Sequence, residues 1–495
     1  MVSFIIGVAA LLAGYWLYGR VVERLVGADP SRPTPATTMA DGVDYVPMRP
    51  WKIFLIQFLN IAGVGPICGA VMGAQFGTAS YLWIVLGTIF AGAVHDFTSG
   101  YISLRHRGCS LPELHGLCLG KGARQAMRAF TVALMVLVGA VFVNTPASLI
   151  QHNFAGGGAP GLIYVWIGLI FLYYLAATML PIDKLIGRVY PLFGALLLAM
   201  AAALVVAFVA YRPEIPEVFH GLANRHPNKE TTPIFPMMFI SIACGAISGF
   251  HATQRPLMAR CLTSERQARP IFYGAMVAEG VVALIWAAAA SYFFSTHDVV
   301  RGVSVPDAVA AALARNDAGA SVVSCIAETW FPKALAVVTI LGVISAAVTS
   351  GDTALRSARL IVADFTGTDQ RPLGKRFLIA LPIFAATAAV IAFANGNKEG
   401  FNLIWRYFAW ANQVLATVTL WAVAVWLAWR RRAYWVALLP AMLMTMVTGC
   451  FPFVAQNGGL GLGAWGYAAG GAITLLATLL FIRRARIKRN NLQEP

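Results

Sequence analysis

The feature that most constrains this chain is an apolar run that recurs from one end to the other. Each run holds about 20 residues, the length of helix that crosses roughly 30 Å of hydrocarbon. Thirteen are read: 2 to 20, 52 to 75, 79 to 104, 126 to 150, 161 to 181, 189 to 210, 234 to 259, 271 to 294, 333 to 362, 376 to 394, 401 to 428, 433 to 453 and 464 to 482. Lipid offers backbone N–H and C=O groups no partner, so such a chain folds as an all-α polytopic membrane protein. With 59% hydrophobic and 12% charged residues among 495, a soluble globule is excluded.

A net charge of +16 raises the question of a nucleic-acid partner, and the placement of the cations answers it. One alternate set of connections carries Arg20, Arg24, Arg32, Arg49, Lys52, Arg105, Arg107, Lys121, Arg124, Arg128, Lys184 and Arg188. It continues through Arg255, Arg260, Arg266, Arg269, Arg356, Arg359, Arg371, Lys375, Arg376 and Arg430 to Arg432, and ends in the tail from Arg483 to Arg489. The other set holds Arg212, Arg225, Lys229, Arg301, Arg315, Lys333 and Lys398. This asymmetry is the positive-inside pattern, with the N-terminus outside and the C-terminus cytoplasmic, and no nucleic acid is implied. The first run lacks a basic lead and a small-residue cleavage site, so it is expected to be retained. Seven scattered cysteines give neither a disulfide framework nor a zinc pattern. Cys68 and Cys244 do flank the two helix breaks described next, where a metal pair and a pair of small buried hydrophobes are the alternatives.

The second run contains "NIAGVGPICGA", Asn60 to Ala70, in which Gly63, Gly65, Pro66 and Gly69 interrupt a helix at membrane depth. Five runs later, "FISIACGAISGFHATQRP", Phe239 to Pro256, repeats the interruption with Gly245, Gly249 and the polar run His251, Thr253, Gln254, Arg255. Unwound backbone inside a membrane persists where it lines a cavity or binds something. Two breaks at matching positions of two five-span units, entering from opposite sides, mark an inverted-repeat transporter. Close packing through small residues is the alternative, and Gly69 with Gly73 fits it.

Four segments carry a resemblance: "DGVDYVPMRPWKIFLIQFLNIAGVGPICGAVMGAQFG", "AGAVHDF", "SGFHATQRPLMARC" and "TSGDTALRSARL". Between about Asp41 and Phe365 the chain resembles the carbon-starvation (CstA) family of bacterial inner-membrane transporters. The resemblance implies a LeuT-type fold of the amino acid–polyamine–organocation superfamily and import of peptides, with some relatives importing pyruvate together with protons. On that fold residues 51–211 and 234–430 are the two repeats, 1–26 an additional N-terminal helix, and 431–495 two peripheral helices with a basic tail. The outer segment 295–332 contains "VPDAVAAALAR", an amphipathic helix that either gates or caps the bundle.

Half-helix N-termini present free N–H groups and a positive dipole end, which attract a carboxylate. The substrate-binding candidates are therefore Asn60, Gly63, Val64 and Gly65 at the first break, and Gly245, Ser248, Gly249, His251 and Gln254 at the second. Ionisable residues inside spans mark proton pathways or are paired, and the candidates are His95, Asp96, Glu279 and Asp352. His95 and Asp96 point about 100° apart on a helix and are expected not to face one spot. Glu279 pairing with Arg406, and Asp352 with Arg356 one turn on, are the charge-neutral alternatives. LeuT-like sodium carriers hold a cation between carbonyls of the first broken helix and two hydroxyls of the eighth core helix. By that resemblance the carbonyls of Leu59, Ala62 and Ala346 with the hydroxyls of Thr349 and Ser350 form a candidate sodium site, the alternative being hydroxyls bonded to their own helix.

No ATP-binding loop, nucleophile motif or zinc signature is present, so an enzyme is not expected. The reading is a secondary-active importer of small peptides coupled to a proton or sodium gradient, with no other cofactor. Its partners are a small-molecule substrate and membrane lipid, and its oligomeric state is open. Import of pyruvate or another short monocarboxylate, and ligand sensing without transport, are the alternatives.

Overall fold

A computed structural model describes residues 1–42, 45–155, 161–179, 182–315, 317–370, 372–397 and 399–486, with the side chains of 182–189 excepted. Among the sequence-level topology residues, Arg371, Lys398, Lys184, Arg188 and the tail beyond 486 fall outside that description. In chain order the helices are α1 Val2–Trp16, α2 Tyr18–Val26, α3 Pro35–Thr38, α4 Pro50–Ile61, α5 Val64–Ala74, α6 Ala79–Gly87 and α7 Ala93–Arg105. They continue as α8 Leu111–Leu119, α9 Lys121–Asn153, α10 Leu162–Met179, α11 Ile182–Tyr211, α12 Phe239–Ser241, α13 Gly249–Ala259 and α14 Gly274–Ser295. The remainder are α15 Val305–Leu313, α16 Ala320–Trp330, α17 Lys333–Thr366, α18 Leu373–Gly396, α19 Gly400–Trp429, α20 Trp435–Val454 and α21 Ala464–Arg486.

Among the described residues eleven helical stretches are long and apolar enough to cross a membrane, or twelve when α4 and α5 are taken as one span bent by 46°. The apolar run from 234 to 259 is built differently. It begins with the five-residue turn Ile234–Met238, continues through the three residues of α12, and is non-helical until α13 starts at Gly249.

The core sits where α17 packs on α9 and α11, α14 on α5, and α13 on α7 and α19. Leu-rich faces of α10, α11, α18 and α21 stay exposed, as a lipid-facing surface requires. The arginine-rich connections gather at one end. There Arg32, Arg105, Arg107 and Arg430 line a common pocket, and Arg376 Nη1 donates to the Met179 carbonyl at 2.8 Å. At the other end the 296–332 segment forms a short hairpin, then α15 and α16. Val305, Val309 and Ala312 are the buried side of α15, the amphipathic stripe seen in the sequence. Trp330 of α16 packs against Phe208, Tyr292 and Phe293 at ring-centroid distances of 5.8, 5.6 and 5.1 Å. Each such pair adds about 0.5–1.5 kcal/mol beyond its buried area, which ties the segment to α11 and α14.

Candidate functional site

The first break follows from its residues. α4 ends at Ile61, Ala62 leaves helical geometry with ψ 50°, and Gly63 is extended before α5 begins. Pro66 costs α5 nothing, because its missing N–H lies in the first turn, where helix N–H groups have no intrahelical acceptor. At the second break the unwound stretch runs from Ile242 to Ser248, and side chains from elsewhere meet backbone groups within it and on both flanking helices. Asn412, midway along α19, accepts from the Phe250 N–H at 2.6 Å through Oδ1 and donates from Nδ2 to Ser248 Oγ at 3.0 Å. Thr88 Oγ1 donates to the Gly245 carbonyl at 3.1 Å, and Gln413 Nε2 to the Phe239 carbonyl at 2.5 Å. Asn412 therefore caps α13, a role visible in the sequence only as an amide pair inside an apolar run.

The two breaks press on each other. A Cβ added to Gly65 would stand 2.3 Å from Cys244 Sγ, one on Gly69 would meet the Ser241 carbonyl at 2.8 Å, and one on Gly73 would meet Ile242 at 2.2 Å. Gly249 lies against the backbone of α19, where an added Cβ would be 2.4 Å from the Asn412 carbonyl. Gly63, Val64, Gly65, Gly245, Ser248 and Gly249 are all buried, so the backbone assigned to a carboxylate is covered by protein here. Cys68 and Cys244 are free thiols, and Cys244 Sγ accepts from Asn412 Nδ2 at 3.2 Å.

Below the second break five fully buried ionisable side chains form one cluster. Arg255 of α13 ion-pairs with Asp96 Oδ1 of α7 and donates to Ser99 Oγ. The other Asp96 oxygen is 3.1 Å from His251 Nδ1, whose Nε2 faces Glu279 Oε2 of α14 at 3.4 Å. His95 Nδ1 lies 3.0 Å from Asp96 Oδ1 and 3.4 Å from Arg255 Nη1. This corrects the expectation that His95 and Asp96 cannot serve one spot: their Cβ atoms diverge, but both side chains bend toward the guanidinium. Glu279 does not pair with Arg406 either. Arg406 lies at the opposite depth, donating to the Asn457 carbonyl at 3.1 Å.

The hydroxyls of α17 meet the first break. Thr349 Oγ1 donates to the Leu59 carbonyl at 3.0 Å and to the Ala346 carbonyl at 3.0 Å; Ser350 Oγ reaches the Asn60 carbonyl at 3.0 Å and that of Leu59 at 3.4 Å. The hydroxyls thus meet the Leu59 carbonyl of the candidate sodium set and, in addition, the Asn60 carbonyl, while the chain stays close past Ala62, where a Cβ on Gly63 would be 2.6 Å from Ser350 Oγ. Leu59 and Asn60 carry two of the last four carbonyls of α4, which no intrahelical N–H can reach, so the hydroxyls cap that half-helix. Tyr190 bridges the same place, donating to Asn60 Oδ1 at 3.1 Å and to the Thr349 carbonyl at 3.2 Å. Asp352, one turn further along α17, takes a 3.5 Å contact from the Tyr173 hydroxyl, and Arg356 donates to the Ala177 carbonyl. Gln254 Nε2 donates to its neighbour Thr253 at 3.0 Å.

The family model described as "Carbon starvation protein CstA" matches residues 1–159, 163–338 and 318–450. The chain belongs to the CstA family. A Haemophilus influenzae uncharacterized membrane protein is 41% identical over 346 aligned residues, covering 61% of this chain and 93% of that protein. The Bacillus subtilis peptide transporter CstA is 26% identical, covering 97% of this chain and 95% of its own length. The Escherichia coli pyruvate/proton symporter BtsT is 28% identical over 61% of this chain and 51% of its own length. Among solved structures, an Eremococcus coleocola manganese transporter superposes with a TM-score of 0.59 at 11% identity, covering 90% of this chain and 98% of that one. That likeness shows a shared fold. The curated relatives with assigned roles are transporters rather than enzymes, and this CstA-family chain is likewise a multi-pass membrane protein.

In this CstA-family chain a cavity of about 230 Å³ opens above the second break, at the end opposite the arginine-rich one. Phe76, His226, Ser241, Asn402, Arg406 and Asn457 contribute to its wall. Ser241 is the last residue of α12, so the floor of this vestibule is the start of the unwound segment. The His226 ring lies tilted against Phe76 at 4.9 Å between ring centres, and burial pushes its pKa below the usual imidazole value.

Proposed function

We propose that this chain is a secondary-active importer of a small carboxylate-bearing solute, with a peptide as the first candidate, driven by a proton held between His251 and Glu279. The observation that carries the reading is the buried chain Arg255–Asp96–His251–Glu279, whose His251 stands in the first turn of a half-helix. Arg255 and Asp96 cancel one another. Glu279 then leaves one negative charge, which a single proton on His251 or Glu279 neutralises. Removing that proton inside a low-dielectric core leaves a bare charge costing several kcal/mol. The cluster therefore gives up its proton when the half-helix moves and water or a counter-charge arrives, which is what coupling requires.

The architecture supporting this is an inverted repeat of LeuT type, 51–211 against 234–430, with each first span broken and each break capped from a later helix. The N-terminus lies outside, so the vestibule over α12 is the outer entrance, and Arg406 and His226 meet the substrate carboxylate first. The half-helix N-termini at Val64 and Gly249 hold that carboxylate once the contact between Gly65 and Cys244 opens. A monocarboxylate such as pyruvate is the second reading, favoured by the small vestibule and by the name of the BtsT relative. Sodium at Thr349 and Ser350 is the competing coupling ion.

The test is uptake of labelled dipeptide and labelled pyruvate into proteoliposomes under a proton gradient, a sodium gradient, or neither. Proton-driven accumulation of either solute supports the reading. Accumulation that follows sodium alone moves coupling to the hydroxyls, and binding without uptake makes the protein a sensor.

A further inference from the structure

Near the arginine-rich end of the bundle a second cavity, about 470 Å³, runs as a groove between α19 and α21, with Leu119 and Ala123 at the junction of α8 and α9 beside its arginine end. Val418, Trp421 and Val425 form one wall, and Ala477, Leu480 and Phe481 the other. These positions recur at helical spacing, so each helix turns one continuous apolar stripe into the groove. On α21 the neighbouring Leu475, Leu476, Leu479 and Leu480 are exposed, which places the groove on the lipid-facing surface. At its mouth the chemistry changes abruptly. Arg483 and Arg484 line it, Lys121 is exposed just beyond Gly120, and Arg124 packs beside Gly116. No acidic side chain lines the groove among the described residues.

Arg484 is held in place. Its Nε donates to the Cys118 carbonyl at 2.9 Å, its guanidinium lies 5.5 Å from the Trp429 ring centre, and Trp429 Nε1 donates to the Arg484 carbonyl at 3.1 Å. Arg483, one residue earlier, is exposed at the same mouth.

We propose that this groove binds one phospholipid with an anionic headgroup, its acyl chain against Trp421 and Phe481 and its phosphate at Arg483 and Arg484. An apolar channel open to the bilayer is filled by hydrocarbon, and uncompensated cations at its interfacial end select a negative headgroup. The occupant braces α21 against α19, the helix that carries Asn412 and, through Thr419, meets His115 of α8 at 3.2 Å. The lipid therefore bears on the helix that caps the second break.

The experiment uses the full-length protein, purified in detergent, and follows thermal unfolding while phosphatidylglycerol, phosphatidylcholine or inorganic phosphate is titrated in. Phosphatidylglycerol should raise the midpoint well beyond phosphatidylcholine, and phosphate alone should leave it unmoved. In Arg483→Gln the apparent phosphatidylglycerol affinity should fall about fivefold, the equivalent of about 1 kcal/mol for one interfacial cation. Ala477→Trp, which fills the groove and keeps the charge, should abolish the response. Equal stabilisation by the two lipids overturns the proposal, as does a wild-type response in both variants. A protein insensitive to lipid whose mass doubles in light scattering places a second copy in the groove instead.

Discussion

Gly65 and Cys244 lock the two helix breaks together: a single added methyl on the glycine would come within 2.3 Å of the cysteine sulfur and 2.5 Å of its Cβ. The absence of a side chain at 65, as at 69 and 73, lets α5 close on α12 and the unwound stretch that follows it.

Gly65→Ala should therefore destabilise the closed protein by about 1–3 kcal/mol, the usual cost of overpacking. Adding Cys244→Gly removes both clashing atoms and should restore much of the loss, a coupling that a double-mutant cycle of thermal midpoints reads directly. Gly65→Leu should insert into membranes yet fail to bind substrate. Wild-type midpoint and affinity in both single variants would show that the breaks do not meet there.

Arg255→Gln strands the Asp96 carboxylate in the core and should cost about 3–5 kcal/mol. Pairing it with Asp96→Asn should cost less than the sum of the two changes, because the charge that needed compensation is gone. Additive losses would mean that the two groups do not share an ion pair.

Glu279→Gln and His251→Gln should each leave substrate exchange across the membrane intact while abolishing accumulation driven by a proton gradient. Counterflow and gradient-driven uptake in the same proteoliposomes separate the two activities. If Glu279→Gln accumulates substrate normally and Asp352→Asn does not, the proton is carried on α17.

Thr349→Ala combined with Ser350→Ala orphans the Leu59 and Asn60 carbonyls, at about 1–3 kcal/mol for a buried unsatisfied group. That loss of stability is expected with or without sodium. A sodium site requires something more: substrate affinity in the wild type should rise with sodium and become flat in the double variant. Sodium-independent wild-type affinity would leave the hydroxyls as helix caps alone.

His226 supplies a pH dependence at the vestibule. Burial lowers its pKa, so the unfolded chain takes up the proton first, from about pH 6.5 downward. Its contribution to stability is present above that pH and is lost as the pH falls below it. The thermal midpoint should drop with acid less steeply in His226→Gln than in the wild type, and identical slopes would mean the imidazole is solvated.

The sequence by itself determined the membrane architecture, the clustering of arginine at alternate connections and the places where two spans break. These are legible because each is local: an apolar run, a count of charges, a cluster of Gly and Pro that cannot sustain a lipid-exposed helix. Family membership is legible for the same reason, since its motifs are contiguous. The partners inside the site came only with the tertiary structure. His251 and Asp96 are 155 positions apart, and nothing in either helix states that they will face each other. Helical periodicity put His95 and Asp96 on different faces, but flexible side chains of that length reach a common guanidinium across such an angle. Arg406 and Glu279 looked like partners because both were charges in apolar runs, yet they lie at different depths. The Asn60 carbonyl joined Leu59 as a partner of the α17 hydroxyls only in the fold, because what caps a broken helix end is decided by what packs there, in this case Thr349 and Ser350. Asn412 stands at the N-terminus of α13 only through the fold, which brings α19 there from 162 positions away. A helix end buried in a membrane must find its hydrogen-bond partners from another segment, and which segment supplies them is decided by packing.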